Sequence, residues 1–183
     1  MAEAGDRIEY TITYLAMDSR PAAPAPAPLN ANLALVRAHE PPVGYFLYLY
    51  GTVGEAHEWT DWFDVSEAEQ AAFVHDPQIA LYTLLVDGWP GGFFVLDTRS
   101  TAKDGVCDLA YFGLMPQAVG RGLGHWFLST AVHTAWDMPG VSRITVNTCT
   151  LDHAAALPLY QKVGFAPEHR QEASRVLVRA RPG

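Results

Sequence analysis

A glycine turn, Gly120-Arg121-Gly122-Leu123-Gly124, lies between a strand-like run at 106–115 and a helix-like run at 125–136. Glycine has no Cβ, so the backbone can curl tightly and a ligand can come close. The first N–H groups of a helix have no partner within it, and they carry the positive end of the helix dipole. The turn therefore predicts an anion site, most simply for phosphate, with Arg121 as an added cationic donor. The alternative is that the turn is only a tight connection.

Two common classes of phosphate loop do not fit this turn. A Walker loop needs Gly-Lys-Ser/Thr, which the sequence lacks. A dinucleotide fingerprint needs an acidic residue about 20 positions after the turn, close to the first strand of the domain. Here residues 141–143 are Val-Ser-Arg, and the turn falls late in the chain. A dinucleotide-dependent oxidoreductase is therefore excluded, and the phosphate ligand belongs to another class.

A phenol follows the turn on the next helix-like segment. The run 143–149 is a predicted strand, and the segment after it carries Tyr160 and stops at Gly164-Phe165. A phenol with an ordinary pKa near 10 can act as a general acid, although it could equally pack on the sheet. Pro158 predicts that this helix kinks or starts late, and His153 is placed to cap it.

The segment from Asp108 to Phe165 resembles the GNAT superfamily of N-acetyltransferases, which use acetyl-CoA. One family motif, Arg/Gln-x-x-Gly-x-Gly/Ala after a strand, matches at Gly122 and Gly124. The other, Ala-x-x-Leu-Tyr-x-x-x-Gly-Phe, is complete at Ala156, Leu159, Tyr160, Gly164 and Phe165.

Two positions depart from the pattern of the family. Val119 stands where Arg or Gln is usual, with Gln117 as an offset match. His153 stands where many members have Asn before the Ala. Both departures affect side chains only, and the main-chain donors that would bind pyrophosphate remain.

The resemblance implies a set of cofactor contacts and proton donors. Acetyl-CoA, as the co-substrate, would place its pyrophosphate on the turn from Gly120 to Gly124, with Arg121, Gly122 and Leu123 between them. Family members splay this strand from the next, so main-chain groups at Leu114 and Met115 would pair with the cofactor and polarise the thioester. Gly113 marks either a bulge or a simple bend in that strand. Tyr160 would protonate the departing thiolate.

The same resemblance offers Asp108 as a candidate general base. Some family members that act on protein lysine carry a carboxylate base at the matching position. The sequence offers His57, Glu58 and Asp61 as alternatives in a loop, and a proton relay through solvent is a further one. An ordinary aspartate is a weak base unless burial raises its pKa.

An aromatic helix is predicted between Pro41-Pro42 and Gly54. Its aromatic side chains cover most of its circumference, so it is either buried or lines a pocket. The resemblance favours an acceptor pocket with Tyr45, Tyr48 and Trp59 as substrate-binding residues; the sequence alone favours core packing.

Composition narrows the class of protein. The 183 residues are 49% apolar and 17% charged, as expected of one globular domain over 1–183. A net charge of −8 argues against nucleic acid and suits a cationic amine acceptor, either a small molecule or a peptide. The chain shows no apolar run for a membrane span, no targeting segment and no metal-ligand spacing, so we expect a cytoplasmic protein without metal. The oligomeric state stays open, with a homodimer as one option.

The two cysteines do not form a disulfide framework in a chain of this length. Cys107 and Cys149 each lie in a strand-like run and fit small buried residues. A catalytic thiol is the alternative.

The remaining elements complete a mixed α/β fold. Strands are predicted at 8–15, 33–38, 80–86, 91–97 and 173–179, with a Pro/Ala-rich connector at 20–29 and a helix that starts at the capping box Ser66–Glu69. This order matches the GNAT fold, a mostly antiparallel sheet flanked by helices, with an additional N-terminal strand. The resemblance implies an N-acetyltransferase of amines; the alternative is a non-catalytic acyl-CoA-binding or regulatory module on the same fold. The intact Tyr160 favours the enzyme.

Overall fold

A computed structural model describes residues 3–29 and 31–179 of the chain. The ends of the predicted 1–183 domain, 1–2 and 180–183, lie outside the described residues. The strands are β1 Arg7–Met17, β2 Leu33–Ala38, β3 Ile79–Val86, β4 Trp89–Asp97, β5 Val106–Leu114, β6 Arg143–Cys149 and β7 Ala166–Val176. The helices are α1 Val43–Gly54, α2 Glu67–Val74, α3 Thr101–Asp104, α4 Gly124–Trp136 and α5 Ala156–Val163.

The seven strands form one sheet in the order β2-β3-β4-β5-β6-β1-β7. Every neighbouring pair is antiparallel except β5 and β6, which confirms the predicted mixed, mostly antiparallel sheet. The additional N-terminal strand lies inside the sheet, because β1 pairs with β6 on one side and with β7 on the other. β7 is consequently an edge strand.

Helices cover both faces of the sheet, each over its own apolar core. On one face α1 and α2 pack Phe46, Leu49 and Phe73 onto the sheet. On the other face α4 and α5 pack Phe127 and Tyr160. No helix in the described part of the chain is both long and apolar enough to cross a membrane.

The strands β5 and β6 separate within the sheet. Their parallel pairing covers Val106–Arg143, Cys107–Ile144 and Asp108–Thr145 and ends there. Beyond this point β5 continues to pair with β4, and β6 continues to pair with β1. A gap therefore opens in the middle of the sheet, between the C-terminal halves of β5 and β6.

The bulge in β5 lies at Ala110, and Gly113 has a different role. The pairing register shifts between Leu109 and Tyr111, so Ala110 is the extra residue of the strand. Gly113 pairs regularly with Phe93, and a Cβ on it would lie 2.2 Å from a methyl group of Val53. The glycine thus lets α1 pack closely on the strand, which the sequence prediction of a bulge or bend did not anticipate.

Local signals predicted several elements well. The Ser66–Glu69 capping box is present in full at the start of α2. Asp87 and Gly88, between the predicted strands 80–86 and 91–97, both have positive φ, 51° and 88°, and form a two-residue hairpin turn, so β4 starts two residues earlier than predicted, at Trp89. Pro158 lies in the first turn of α5, where its missing N–H costs nothing, so this helix starts late and does not kink.

The last strand was predicted too late in the chain. β7 spans Ala166–Val176, whereas the sequence suggested 173–179. Most of its side chains are exposed on both faces, so it lacks the alternation of apolar and polar residues that marks a half-buried strand.

The Pro/Ala connector crosses the outer side of α4 on its way from β1 to β2. The N–H of Ala25 donates to Ser129 Oγ at 2.8 Å, and Arg20 forms an ion pair with Asp137 at 2.7 Å. These contacts hold the extended segment against the helix that follows the glycine turn.

Candidate active site

The glycine turn has the backbone geometry of an open anion site. Gly120 and Gly122 have φ of 80° and 74°, a region that side chains with a Cβ rarely adopt, and a Cβ on either would meet no atom within 4 Å. Gly124 begins α4, and no side chain of residues 3–29 or 31–179 caps the start of this helix. The first N–H groups of α4 are therefore available to a ligand above the turn.

The side chains of the turn differ in what they offer. Arg121 is exposed and forms an ion pair with Asp87 at 3.2 Å. Such surface pairs contribute little, so an anionic ligand can displace the carboxylate. Leu123 is buried and packs into the core on the α4 side, so it contributes only main-chain atoms.

Two predicted main-chain contacts lie at the end of β5. The Met115 N–H donates to the Gly91 carbonyl at 2.9 Å, and the Met115 side chain is buried, so this N–H is engaged within the sheet. Main-chain groups of an antiparallel strand alternate between its two edges. The N–H and C=O of Leu114 and Phe112 therefore point to the opposite edge, into the gap beside β6.

Tyr160 lies on α5, and its ring packs in the core. The ring packs edge-on against Phe112 and Phe165, at centroid distances of 6.3 and 5.8 Å. Among residues 3–29 and 31–179 no group forms a hydrogen bond with the hydroxyl. Burial, and then the nearby carboxylates of Asp152 and Asp108, raise the pKa of Tyr160 well above its ordinary value.

Asp108 is the last residue of β5 that pairs with β6. Its neighbours Cys107 and Leu109 belong to the core under α4, so the alternation of the strand directs Asp108 to the α1 and α2 face. Thr145 Oγ1 donates to its carboxylate at 2.6 Å. Burial raises the pKa of Asp108, and the Asp97 carboxylate adds to this, while the Thr145 hydrogen bond opposes it. Asp108 and Tyr160 thus approach the gap from opposite faces of the sheet.

Asp152 is a carboxylate that the sequence prediction missed. It accepts hydrogen bonds from the Thr148 hydroxyl at 2.7 Å, the Cys149 N–H at 2.9 Å and the Trp59 indole N–H at 3.3 Å. It therefore joins the end of β6 to the loop between α1 and α2. The Thr148 and Cys149 contacts are local, but the contact with Trp59 depends on tertiary structure and leaves no signal in the sequence.

The three predicted acceptor residues do not share one pocket. Tyr48, half exposed, and Trp59 line a cavity of about 230 Å³ on the outer side of α1. The Tyr45 hydroxyl instead shares a hydrogen bond of 2.9 Å with Thr83 on the sheet. Trp59 packs so closely over Gly54 that a Cβ there would lie 2.1 Å away, which makes Trp59 largely a structural contact of the loop.

A larger cavity, which we call the α2 cavity, adjoins the bulge of β5. Its volume is about 480 Å³, within the range of small-molecule sites. Most of its lining side chains are aromatic or charged, and they come from the loop before α2, from α2 and its end, from the end of β4, and from β5. They are Trp62, Glu69, Ala72, Phe73, Asp76, Asp97, Arg99, Ala110 and Tyr111. The sequence prediction did not include it, because its residues come from four separate segments.

The alternative bases in the loop have other contacts. The buried Glu58 accepts from the Val178 N–H at 3.1 Å, and His57 Nδ1 lies 3.2 Å from the Leu151 carbonyl oxygen. Asp61 is exposed and forms an ion pair with Arg175 at 3.4 Å. Asp108 is the carboxylate of this set that lies where β5 and β6 separate.

Both cysteines are free thiols, and neither is activated. Burial raises the pKa of Cys107 to about 12 and also raises the pKa of Cys149. A catalytic thiol needs the opposite shift. The described residues include no group of side chains that could hold a metal ion.

Comparisons with solved structures show the same fold at low sequence identity. A GCN5-related N-acetyltransferase from Kribbella flavida aligns with a TM-score of 0.59 and 18% identity, over 90% of this chain and 56% of its own. A conserved protein of unknown function from Staphylococcus epidermidis aligns with a TM-score of 0.57 and 10% identity, over 93% and 63%. An aminoglycoside N-acetyltransferase in complex with CoA aligns with a TM-score of 0.54 and 16% identity, over 78% and 94%.

Sequence comparison gives the family directly. The chain spans less than two thirds of the Kribbella and Staphylococcus proteins. A search of curated proteins gave no match. The family model described as Acetyltransferase (GNAT) family matches residues 34–165, which include the glycine turn, the gap and Tyr160. The chain therefore belongs to the GNAT family of acetyltransferases.

Proposed function

We propose that this acyltransferase moves an acetyl group from acetyl-CoA to a primary amine, by direct attack of the amine on the thioester. The observation that carries the proposal is the gap between β5 and β6. The gap begins at Asp108 and runs toward the glycine turn at the start of α4. Asp108 approaches it from one face of the sheet, and Tyr160 approaches it from the other. These groups could bind a thioester cofactor, accept a proton from an amine and donate one to a thiolate.

Acetyl-CoA would bind along the open edge of β5. The pyrophosphate would accept hydrogen bonds from the N–H groups of the turn and of the first turn of α4, with Arg121 as a charged neighbour. The pantetheine amides would pair with the main-chain groups of Phe112 and Leu114 that point into the gap. The thioester would then lie near the bulge at Ala110.

The reaction needs one proton acceptor and one proton donor. The amine nitrogen attacks the thioester carbon, and Asp108 accepts the proton that the nitrogen loses. When the C–S bond breaks, the CoA thiolate leaves with the electron pair, and the Tyr160 hydroxyl donates a proton to it. Burial raises the pKa of both groups, which makes Asp108 a stronger base than a free aspartate and keeps Tyr160 protonated.

The proposal is tested by release of free CoA thiol from acetyl-CoA in the presence of a panel of primary amines. We expect thiol release that depends on the amine, together with an acetylated product detected by mass spectrometry. Tight binding of acetyl-CoA without transfer to any amine would instead support a non-catalytic acyl-CoA-binding module.

Gly124→Val should remove acetyl-CoA binding without unfolding the protein. Among the described residues a Cβ at Gly124 meets Leu159 alone, at an ordinary contact distance of 3.6 Å, so valine fits the helix and adds bulk at its first residue, beside the N–H groups that would bind the pyrophosphate. Calorimetry should give a micromolar Kd for the wild type, about −8 kcal/mol, and at least about a hundredfold weaker binding for the variant. Gly44→Val is the matched control, since Gly44 lies in α1 with no atom near its Cβ position. Unchanged binding in a folded Gly124→Val protein would contradict the assignment of the turn.

Asp152→Asn should move the alkaline limb of the kcat profile to lower pH. Tyr160 donates only while it is protonated, and the Asp152 carboxylate is one of the charges that raise its pKa. Without this charge the phenol ionises at a lower pH, so kcat should fall earlier as the pH rises. Thr148→Val removes a hydrogen bond to Asp152 but keeps the charge, and it should leave the limb in place. Identical alkaline limbs in wild type and Asp152→Asn would show that Asp152 does not act on Tyr160.

A further inference from the structure

The α2 cavity has an aromatic wall next to the proposed site of acetyl transfer. Trp62 packs against Phe73 with ring centroids 4.5 Å apart, and the Trp62 indole N–H donates to the Tyr111 hydroxyl at 2.7 Å. Tyr111 follows the bulge residue Ala110, which also lines the cavity. The hydrogen bond and the ring packing fix the orientation of this wall, whose faces can attract a cation.

The lining of the cavity carries more negative than positive charge. Glu69, Asp76 and Asp97 line it together with a single cation, Arg99. Arg99 is already engaged with Asp97, at 2.5 Å, and its guanidinium lies over the Phe73 ring at 5.6 Å. Glu69 also accepts the Ser66 N–H and hydroxyl in the capping box, and Asp76 acts electrostatically on Arg99. Three carboxylates against one guanidinium still leave the lining negative, so a cationic ligand is favoured and an anionic one is disfavoured.

A pair of carboxylates connects the cavity to the proposed base. Asp97 on β4 lies directly opposite Asp108 on β5, on the same face of the sheet. Like charges at such positions destabilise a sheet. Arg99 relieves this repulsion on the Asp97 side, and the Thr145 hydroxyl relieves it on the Asp108 side. The negative charge of the cavity thus continues up to the point where the amine would lose its proton.

We propose that the α2 cavity selects acceptors that carry a second positive charge, that is, small aliphatic diamines. The inference rests on the proposed acetyl transfer and names its substrate class. The reacting amine lies beside Asp108. The second ammonium group lies in the cavity, against the Trp62 wall and near the carboxylate of Asp76.

Three acceptors of equal chain length test this inference. 1,4-Diaminobutane, butylamine and 4-aminobutyrate all have a chain of four carbons with a primary amine at one end. At the other end diaminobutane carries a second amine, the chain of butylamine ends in a methyl group, and that of aminobutyrate ends in a carboxylate. We expect kcat/KM for diaminobutane, corrected for its two equivalent amines, to exceed that for butylamine by at least about tenfold, because the second ammonium makes charge-assisted contacts. Aminobutyrate should be the poorest acceptor.

Asp76→Asn is the informative variant. Asp76 Oδ1 accepts the Gln78 N–H at 2.8 Å, and an asparagine oxygen can keep this bond while the charge is lost. The variant should lose most of the preference for diaminobutane and keep the rate with butylamine. Asp64→Asn removes a charge outside the cavity lining and should keep the preference. Binding of diaminobutane in the presence of CoA, followed by tryptophan fluorescence, reports on the cavity without acetyl transfer.

The outcomes separate the inference from the proposed function. Equal kcat/KM for the three acceptors, or a preference for aminobutyrate, would overturn the diamine inference and leave acetyl transfer standing. Binding of diaminobutane that depends on Asp76, without acetylation of any amine, would support the cation site and overturn the proposed function. Neither binding nor acetylation would overturn both.

Discussion

Tyr160→Phe should lower kcat by at least about tenfold while acetyl-CoA affinity stays close to that of the wild type. General acids typically contribute about 10²–10⁴-fold to a reaction, and this substitution removes only the hydroxyl. The ring contacts with Phe112 and Phe165 remain, and the hydroxyl has no hydrogen-bond partner to lose within the described residues. A loss of rate would therefore report on chemistry and not on packing. Steady-state kinetics with a reactive amine measure kcat, and calorimetry measures the affinity for acetyl-CoA.

The pH profile adds a second readout for Tyr160. Because burial raises its pKa above the ordinary value near 10, the wild type should show no loss of kcat from this group up to about pH 10. Thermal unfolding of Tyr160→Phe serves as the control for stability. Wild-type kcat in this variant would mean that the thiolate leaves by way of solvent and that Tyr160 is a packing residue.

Asp108→Asn should lower kcat/KM by about 10²–10⁴-fold, the usual contribution of a general base. The wild type should lose activity as the pH falls through the pKa of Asp108, because the protonated carboxyl cannot accept the proton of the amine. Burial raises this pKa above that of a free aspartate, so the acid limb should lie at a higher pH than a free aspartate would give. Ionisation of the acceptor amine gives a separate limb near pH 10. Asp108→Asn should lose the acid limb of Asp108 together with the rate.

Thr145→Val provides the matched control for Asp108. The hydroxyl of Thr145 stabilises the charged form of the carboxylate, so its loss should move the acid limb to higher pH and keep the plateau. An unchanged limb in Thr145→Val and a full rate in Asp108→Asn would assign the base elsewhere, to solvent or to the loop that carries His57.

The parts of the site that could be predicted from sequence are those that local chemistry specifies. Gly120 and Gly122 adopt positive φ, and a turn of this kind before a helix signals an anion site without any tertiary information. The capping box at Ser66 and the first-turn position of Pro158 follow from the same kind of local rule.

The remainder depends on register and on contacts between distant segments. The bulge lies at Ala110 and not at Gly113, since a register shift depends on how β4 and β5 align and not on where a glycine occurs. The α2 cavity and the Asp152–Trp59 contact likewise join segments that lie far apart in the chain. The residue pattern of a single segment carries no information about such contacts.

The position of β1 determines the order in which this sheet can be completed. Of the seven described strands β1 comes first in the chain, but its partners β6 and β7 come last. Since a ribosome makes the chain from its N-terminus, both edges of β1 stay unpaired until the rest of the sheet has been synthesised. β6 forms one side of the gap in the sheet, and β1 is its only antiparallel partner within the described residues. A nascent chain can thus fold the front half of the sheet early, but the gap between β5 and β6 has both of its sides in place only after β6 and its partner β1 have paired.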